Sequence, residues 1–274
     1  MTHTIKALTT AEIKLLRRLS RREDRRRQNR LLVEGWRAAE QVLTNRTMNV
    51  ETVLMAGDIE HEPVRALLHQ CPGSGSIALR QVSRGVFDQL ADTDAAQGIM
   101  LVCRLPEAAG EVDLLARQGV LLAVDRVQDP GNLGTLVRSA VWFGLAGLML
   151  GSGSVDLFHP KVVRSTAGAT GALPWAEGEL PAFLLQARRG GWAVHLLDAG
   201  SGAVPYGQVQ PTGRDILVAG NEANGLSSEI LQQDFSRIRI DPVQQKHQAV
   251  GAGAPGVESL NVAVASAIAM AHFC

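Results

Sequence analysis

The sequence predicts an α/β protein whose later half is organised around a parallel sheet. Three observations carry this. At 274 residues the chain has room for two domains of ordinary size or one large one. Short apolar or β-branched runs alternate along it with segments of helical periodicity, the pattern of strands joined by helices. Residues 120–124 form an unbroken apolar run, as expected of a strand buried on both faces of a parallel sheet. That run leads through Asp129-Pro130-Gly131-Asn132, which is turn chemistry, into Leu136, Val137, Ala140, Val141 and Phe143 at helical spacing. Gly144 then ends the helix.

Taken in order, the first half reads as short helices and strands. Thr9 or Thr10 is placed to cap a helix in which Ile13, Leu16 and Leu19 share one face and arginines cover the other. Lys14, Arg17, Arg18, Arg21, Arg22, Arg25, Arg26, Arg27 and Arg30 crowd this stretch against few acids. Such a run serves either as a phosphate-binding face or as a solvated helix side. Strands are predicted over 31–33, 50–55, 77–79 and 99–102, and helices over 36–43, 64–69 and 86–90. Pro106-Glu-Ala-Ala-Gly110 is the linker candidate, because the strand pattern resets there. It divides the chain into a domain over 1–105, a linker over 106–112 and a domain over 113–274.

Beyond the helix that opens at 134, strands are predicted over 145–150, 192–197, 216–219 and 237–240. Pro160 suits the first turn of a helix that ends in the small residues Ala167-Gly168-Ala169, and residues 181–189 read as another helix. In loop 220–227, glycines at both ends let the backbone approach a ligand, and Ser227 is placed to cap the next helix. Residues 262–271 form a small-residue helix suited to close packing.

Composition excludes several classes. Formal net charge is zero, so only the distribution of charge points to nucleic acid. Cys71, Cys103 and Cys274 have no paired spacing, which argues against a disulfide scaffold or a zinc knuckle. The first residues lack the apolar core of a signal peptide, and no apolar run is long enough to cross a bilayer, so a cytoplasmic protein is expected. The seven histidines are scattered, and none is placed as a metal ligand or base. Gly251-Ala-Gly253-Ala-Pro-Gly256 fits a dinucleotide fingerprint as text. The chain ends before a βαβ unit could follow, so a nicotinamide-dependent dehydrogenase is rejected.

The polar residues in the strand-turn-helix over 120–144 stand out. Asn132 lies where a strand delivers its carboxyl end to a helix, the ligand-binding edge of an open α/β sheet, and Arg138 lies about one turn into that helix. Together with Gly220-Asn221-Glu222-Ala223-Asn224-Gly225-Leu226 and Glu258-Ser259-Leu260-Asn261-Val262, this stretch resembles the three motifs of the SpoU/TrmH family, in order. These are trefoil-knot methyltransferases of RNA ribose 2′-hydroxyls. The arginine-rich start followed by Leu32-Val33-Glu34-Gly35-Trp36 resembles the small, ribosomal-protein-like α/β substrate domain of the rRNA-modifying members. The segment Pro160-Lys161-Val162-Val163-Arg164-Ser165-Thr166-Ala167-Gly168 also has a family counterpart.

The resemblance implies a knotted parallel-sheet C-terminal domain, a homodimer, and S-adenosylmethionine-dependent 2′-O-methylation of RNA, 23S rRNA ahead of tRNA. It places Arg138 nearest the hydroxyl, Asn132 and Ser259 around the ribose, Asn261 on the loops or the donor, and Glu222 with Arg138 or near the cofactor. The methyl donor is then held by the loops at Ala219, Gly220, Asn221 and Gly225, at Ile238, Ile240 and Val243, and at Leu260. RNA phosphates meet Arg21, Arg22, Arg25 and Arg26, with Lys161 and Arg164. No metal is required. One departure from the family pattern is the longer stretch 244–257, where relatives keep a short turn. The competing class is a non-catalytic RNA or ribosome-assembly protein on the same fold, which would not need Asn132, Arg138, Glu222, Ser259 and Asn261 together.

Overall fold

The structure, a computed structural model, describes residues 5–71, 74–242 and 259–274. They fall into two compact units. One comprises Met1–Glu107 with Asp156–Ala172, and the other Ala108–Val155 with Leu173–Cys274.

In the first unit β1 (Lys6–Ala7), β2 (Arg30–Glu34), β3 (Val50–Ala56), β4 (Ala78–Val82) and β5 (Ile99–Arg104) form a mixed sheet in the order β1-β4-β3-β5-β2. β4 runs parallel to β1 and β3, and β5 antiparallel to β3 and β2. The helices are α1 (Thr10–Arg17), α2 (Arg22–Gln28), α3 (Trp36–Asn45), α4 (His61–Gln70) and α5 (Arg84–Leu90). Leu16, Leu19, Leu54, Phe87 and Met100 share its core. Thr9 is the cap of α1: its hydroxyl accepts from Glu12 N at 3.2 Å while Glu12 Oε2 accepts from Thr9 N at 2.7 Å. The arginine-rich stretch is not one helix. A 3-10 turn over Arg18–Ser20 follows α1, and Arg21 is extended (φ −95°, ψ 135°) before α2 begins. The break buries Leu19 to 2 % exposure and turns α2 into a separate face.

The second unit opens with α6 (Glu111–Leu115), β6 (Gly119–Val124), α7 (Pro130–Trp142) and β7 (Gly147–Gly151). The chain then contributes Asp156–Ala172, with α8 (Pro160–Ser165), to the first unit. The second unit continues with β8 (Trp175–Gly178), α9 (Leu180–Arg189), β9 (Ala193–Leu197), β10 (Val204–Pro205), β11 (Arg214–Ala219), α10 (Ser228–Leu231), β12 (Ser236–Arg239) and α11 (Val262–Phe273). Its seven strands run in the order β10-β12-β9-β11-β6-β7-β8, and every pairing is parallel. The predicted α/β class with a parallel sheet in the second half is therefore observed. β6 and β7 are almost wholly buried, as their unbroken apolar runs require. The knot implied by the resemblance depends on the path between β12 and α11, of which residues 243–258 lie outside the described ones, as do the extended stretch 244–257 and the rejected glycine pattern.

Two local expectations are corrected. α7 starts at Pro130 rather than Gly134, because Asp129 Oδ1 accepts from Asn132 N at 2.7 Å and makes the Pro-Gly-Asn turn the first helical turn. Arg138 is consequently more than two turns into the helix, not one. Ser227 occupies the cap position of α10 but makes no capping hydrogen bond. The small residues after α8 are explained by α3. A Cβ at Gly168 (φ +96°) would stand 2.4 Å from that of Gln41.

Candidate active site

β6 and β11 are neighbours with Val124 opposite Ala219, so the loops that follow them leave the same sheet edge. This parallel pairing brings residues some 90 positions apart into contact. The β11 loop is closed on itself: Asn221 and Gly225 exchange two backbone hydrogen bonds of 2.9 Å. A Cβ at Gly220 would lie 2.5 Å from the carbonyl carbon of Gly225, so only glycine fits there. Asn221 Nδ2 donates to Arg126 O at 2.8 Å, and Asp125 Oδ2 accepts from Ser227 N at 2.6 Å. Asp125, buried at the end of β6, thus ties the two loops together. Sequence reasoning passed over it, although a lone acid ending an apolar strand is a signal of this kind.

Glu222 is held at this edge by the β6 loop. Its Oε1 accepts from Asn132 Nδ2 at 3.0 Å and Asp129 N at 3.1 Å, and its Oε2 from Gln128 N at 3.3 Å. Burial pushes its carboxyl up, but the hydrogen bonds from Asn132 and from backbone N–H groups outweigh this and hold it below the usual carboxylate range. It is an anchored carboxylate rather than a proton acceptor. Asn132 Oδ1 accepts from Asn261 Nδ2 at 2.8 Å, while Asn261 Oδ1 caps α11 by accepting from Ala263 N at 2.8 Å. Each amide is thereby fixed in orientation, and one chain of side chains runs from Glu222 in the β11 loop through Asn132 at the start of α7 to Asn261 at the start of α11.

Of the predicted residues, the structure brings together Asn132, Glu222 and Asn261. Arg138 is exposed and makes no hydrogen bond or ion pair among the described residues. Of the two places the resemblance allowed Glu222, with Arg138 or near the cofactor, the pairing with Arg138 is not seen among the described residues. Six residues along a helix separate Arg138 from Asn132 by about 9 Å and by about a third of a turn around the axis. Ser259 and Leu260 are exposed just before Asn261. Ala219 and Gly220 are buried at the end of β11, and Ile238 in β12; Ile240 is half-buried, and Val243 lies outside the described residues.

The predicted phosphate contacts all belong to the first unit. Arg25 is not among the exposed cations: its side chain is 3 % exposed. It donates to Leu19 O at 2.7 Å and Ser20 O at 2.8 Å, and pairs with Asp156. As an expected RNA contact it is corrected, because a buried guanidinium bonded to two carbonyls and a carboxylate is not presented to a phosphate. Arg22 also pairs with Asp156, at 3.7 Å. Arg164 donates to Asp92 at 2.5 Å, whereas Arg21, Arg26 and Lys161 are exposed. Among the described residues no group of three or more His, Cys, Asp or Glu is placed to hold a metal, and no helix is long and apolar enough to cross a membrane.

Comparison with known proteins places this geometry in context. The family model described as SpoU rRNA Methylase family matches residues 119–271, and one described as MRM3-like substrate binding domain matches residues 10–101. The chain is 28 % identical over 268 residues to the 23S rRNA (guanosine(2553)-2′-O)-methyltransferase RlmP of Bacillus subtilis, covering 98 % of each chain. Among solved structures it resembles a TrmH-family protein from Porphyromonas gingivalis at TM-score 0.78 and 28 % identity, covering 97 % of this chain and 98 % of that one. It shares the fold of an AdoMet-bound rRNA methyltransferase from Sinorhizobium meliloti at TM-score 0.79 and 22 % identity, over 98 % and 97 % of the two chains.

Proposed function

The chain belongs to the SpoU rRNA methylase family, and we propose that it transfers the methyl group of S-adenosylmethionine to a ribose 2′-hydroxyl of RNA, with 23S rRNA as the substrate class. The observation that carries the reading is the Glu222–Asn132–Asn261 chain of hydrogen bonds at the carboxyl edge of a parallel sheet. It orders three loops around one point while leaving a guanidinium of α7 uncommitted. The residues fit the donor. Ala219, Gly220, Asn221, Gly225, Ile238, Ile240 and Leu260 present backbone groups and apolar side chains at that edge, and Leu260 is 47 % exposed. When bound, S-adenosylmethionine supplies an electrophilic methyl group on a sulfonium.

The remaining work falls to the protein. Arg138 faces the ribose side, orients the hydroxyl and stabilises the oxyanion as the proton leaves; a guanidinium keeps its own proton and is no free base. Asn132, with its amide fixed by Glu222 and Asn261, and Ser259, exposed two residues before Asn261, hold the ribose by neutral hydrogen bonds. Arg21, Arg22, Arg26, Lys161 and Arg164 supply phosphate contacts, which position the RNA without reading its sequence.

The protein acts in the cytoplasm as a homodimer. Trp142 on α7 is 83 % exposed and Val264 on α11 is 48 % exposed, on two helices that pack together. A Trp142→Glu variant is expected to sediment as a monomer; one that stays dimeric removes Trp142 from the interface. The function is tested by incubating the protein with labelled S-adenosylmethionine and 23S rRNA and mapping the methylated riboses. Ribose methylation at a defined position is expected. Donor binding without transfer to either rRNA or tRNA would instead support the non-catalytic reading.

A further inference from the structure

The first unit contains a cleft that the methyl-transfer chemistry does not use. Two adjoining cavities, of about 140 and about 290 Å³, share Glu34 and Arg164 in their walls. The smaller is floored by apolar side chains, including Leu90 and Met100, and has Arg17 at its rim; the larger has Arg37 at its rim. Both rim arginines are exposed and have no side-chain partner among the described residues.

The polar groups between the rims are fixed by their neighbours. Glu34, at the end of β2, accepts from Asp92 N at 2.8 Å and from the Thr93 hydroxyl, which sets the loop carrying Asp92. Asp92 Oδ2 accepts from Arg164 at 2.5 Å, leaving Oδ1 as an open acceptor. Gln97 Oε1 accepts from Trp36 N at 2.8 Å, so the amide is oriented and its NH₂ is an open donor. The backbone makes room for it: Gly35 has φ +100°, and a Cβ there would meet Gln97 Oε1 at 3.4 Å. Across the two adjoining cavities the cleft thus offers Gln97 as an oriented donor in the larger, Asp92 as an oriented acceptor over the apolar floor of the smaller, and Arg164 shared between them, with an exposed cation at each rim.

That is the chemistry of a nucleotide: a flat apolar face, a donor–acceptor edge and an anionic phosphate on either side. We propose that this cleft receives one unpaired nucleotide of the substrate RNA, with Arg17, Arg37 and Arg164 on its phosphates and Gln97 and Asp92 on its base edge. The proposal rests on the reading of the protein as an RNA methyltransferase and adds a nucleotide-reading site in the substrate-binding unit. A paired base cannot reach such a cavity, so the site selects single-stranded or looped RNA.

The test uses the full-length protein and single-stranded oligoribonucleotides of about 12 nucleotides, homopolymeric for binding and carrying 4-thiouridine for photocrosslinking. Crosslinks are expected on Thr93, Gln97 or the start of α3. Arg37→Ala should weaken single-strand binding up to about tenfold and lower its salt slope by about one, with duplex RNA little affected. Asp92→Asn, which keeps shape but turns the open acceptor towards a donor, should change which homopolymer binds best, as should Gln97→Ala. Crosslinks confined to α1 and α2, with wild-type affinity and base preference in the variants, would overturn the cleft. Calorimetry with S-adenosylmethionine on the same preparations separates the two failures. Donor binding with an inert cleft sinks this proposal alone, and loss of donor binding sinks the enzymatic reading whatever the crosslinks show.

Discussion

α2 and α7 each carry the arginines that the sequence makes most conspicuous, and the structure uses them in opposite ways. In α2 the run of cations looks like an RNA surface, yet Arg25 is buried with Leu19 O, Ser20 O and Asp156 as partners. Arg18 and Arg27 are also engaged, both by the buried carboxylate of Asp24. In α7 a single arginine, Arg138, stands exposed and uncommitted beside an ordered polar edge. A buried guanidinium bonded by several neighbours holds a fold together; an exposed one without partners is available to a ligand. Charge density along the sequence does not distinguish the two, because both look alike until burial is known.

The largest test of this contrast is Arg25→Ala. Removing the buried guanidinium leaves Asp156 with Arg22 alone, at 3.7 Å, and takes the donor from Leu19 O and Ser20 O, so the expected loss is about 3 kcal/mol in denaturant unfolding, with the first unit most affected. The double variant Arg25→Met/Asp156→Leu should recover most of that loss. If Arg25→Ala is as stable as wild type but binds RNA poorly, Arg25 belongs with the ligand contacts after all. Next comes Arg138→Ala, expected to slow single-turnover methyl transfer by on the order of a hundredfold or more while stability stays within about 0.5 kcal/mol. Near-normal transfer would take Arg138 out of the mechanism.

A smaller effect sharpens the polar edge itself. The Glu222 carboxyl sits below its usual range, since hydrogen bonds to its charged form outweigh burial. Its contribution to order at the edge is therefore complete above the ordinary carboxylate value of about 4.3 and is lost only as pH falls through the lower folded value. The side-chain amide signals of Asn132 and Asn261 should hold steady in an NMR titration down to about pH 4.3 and move only below it. Movement at higher pH would mean that Glu222 is not held as described. The smallest effect is at Arg21, exposed at the junction of α1 and α2. Arg21→Gln should leave stability within about 0.5 kcal/mol and reduce the salt slope of RNA binding by about one, whereas an unchanged slope would make it a solvated residue only.

Most strands and helices were legible because burial writes itself into local pattern. β6 and β11 read as apolar runs, α3 and α9 as periodic segments, and Thr9 or Thr10 as a helix start. Elements whose order comes from their neighbours left little trace. β8 lies at a sheet edge, β10 has two residues, and α6 has five. The three motifs located Asn132, Glu222 and Asn261, but their mutual bonding followed only from parallel pairing of β6 with β11 and from the position of α11.

The sequence by itself determined the α/β class, the parallel character of the second sheet and the residue types at its carboxyl edge, because each is set by periodicities of a few residues or by short motifs. The tertiary structure alone decided that Asp156–Ala172 packs with the first unit, that Arg25 is buried against Asp156, and that Glu222 is bonded to Asn132 rather than to Arg138. Those outcomes join residues far apart in the chain. Their free energy comes from desolvation and pairing in the folded state, which no local pattern records.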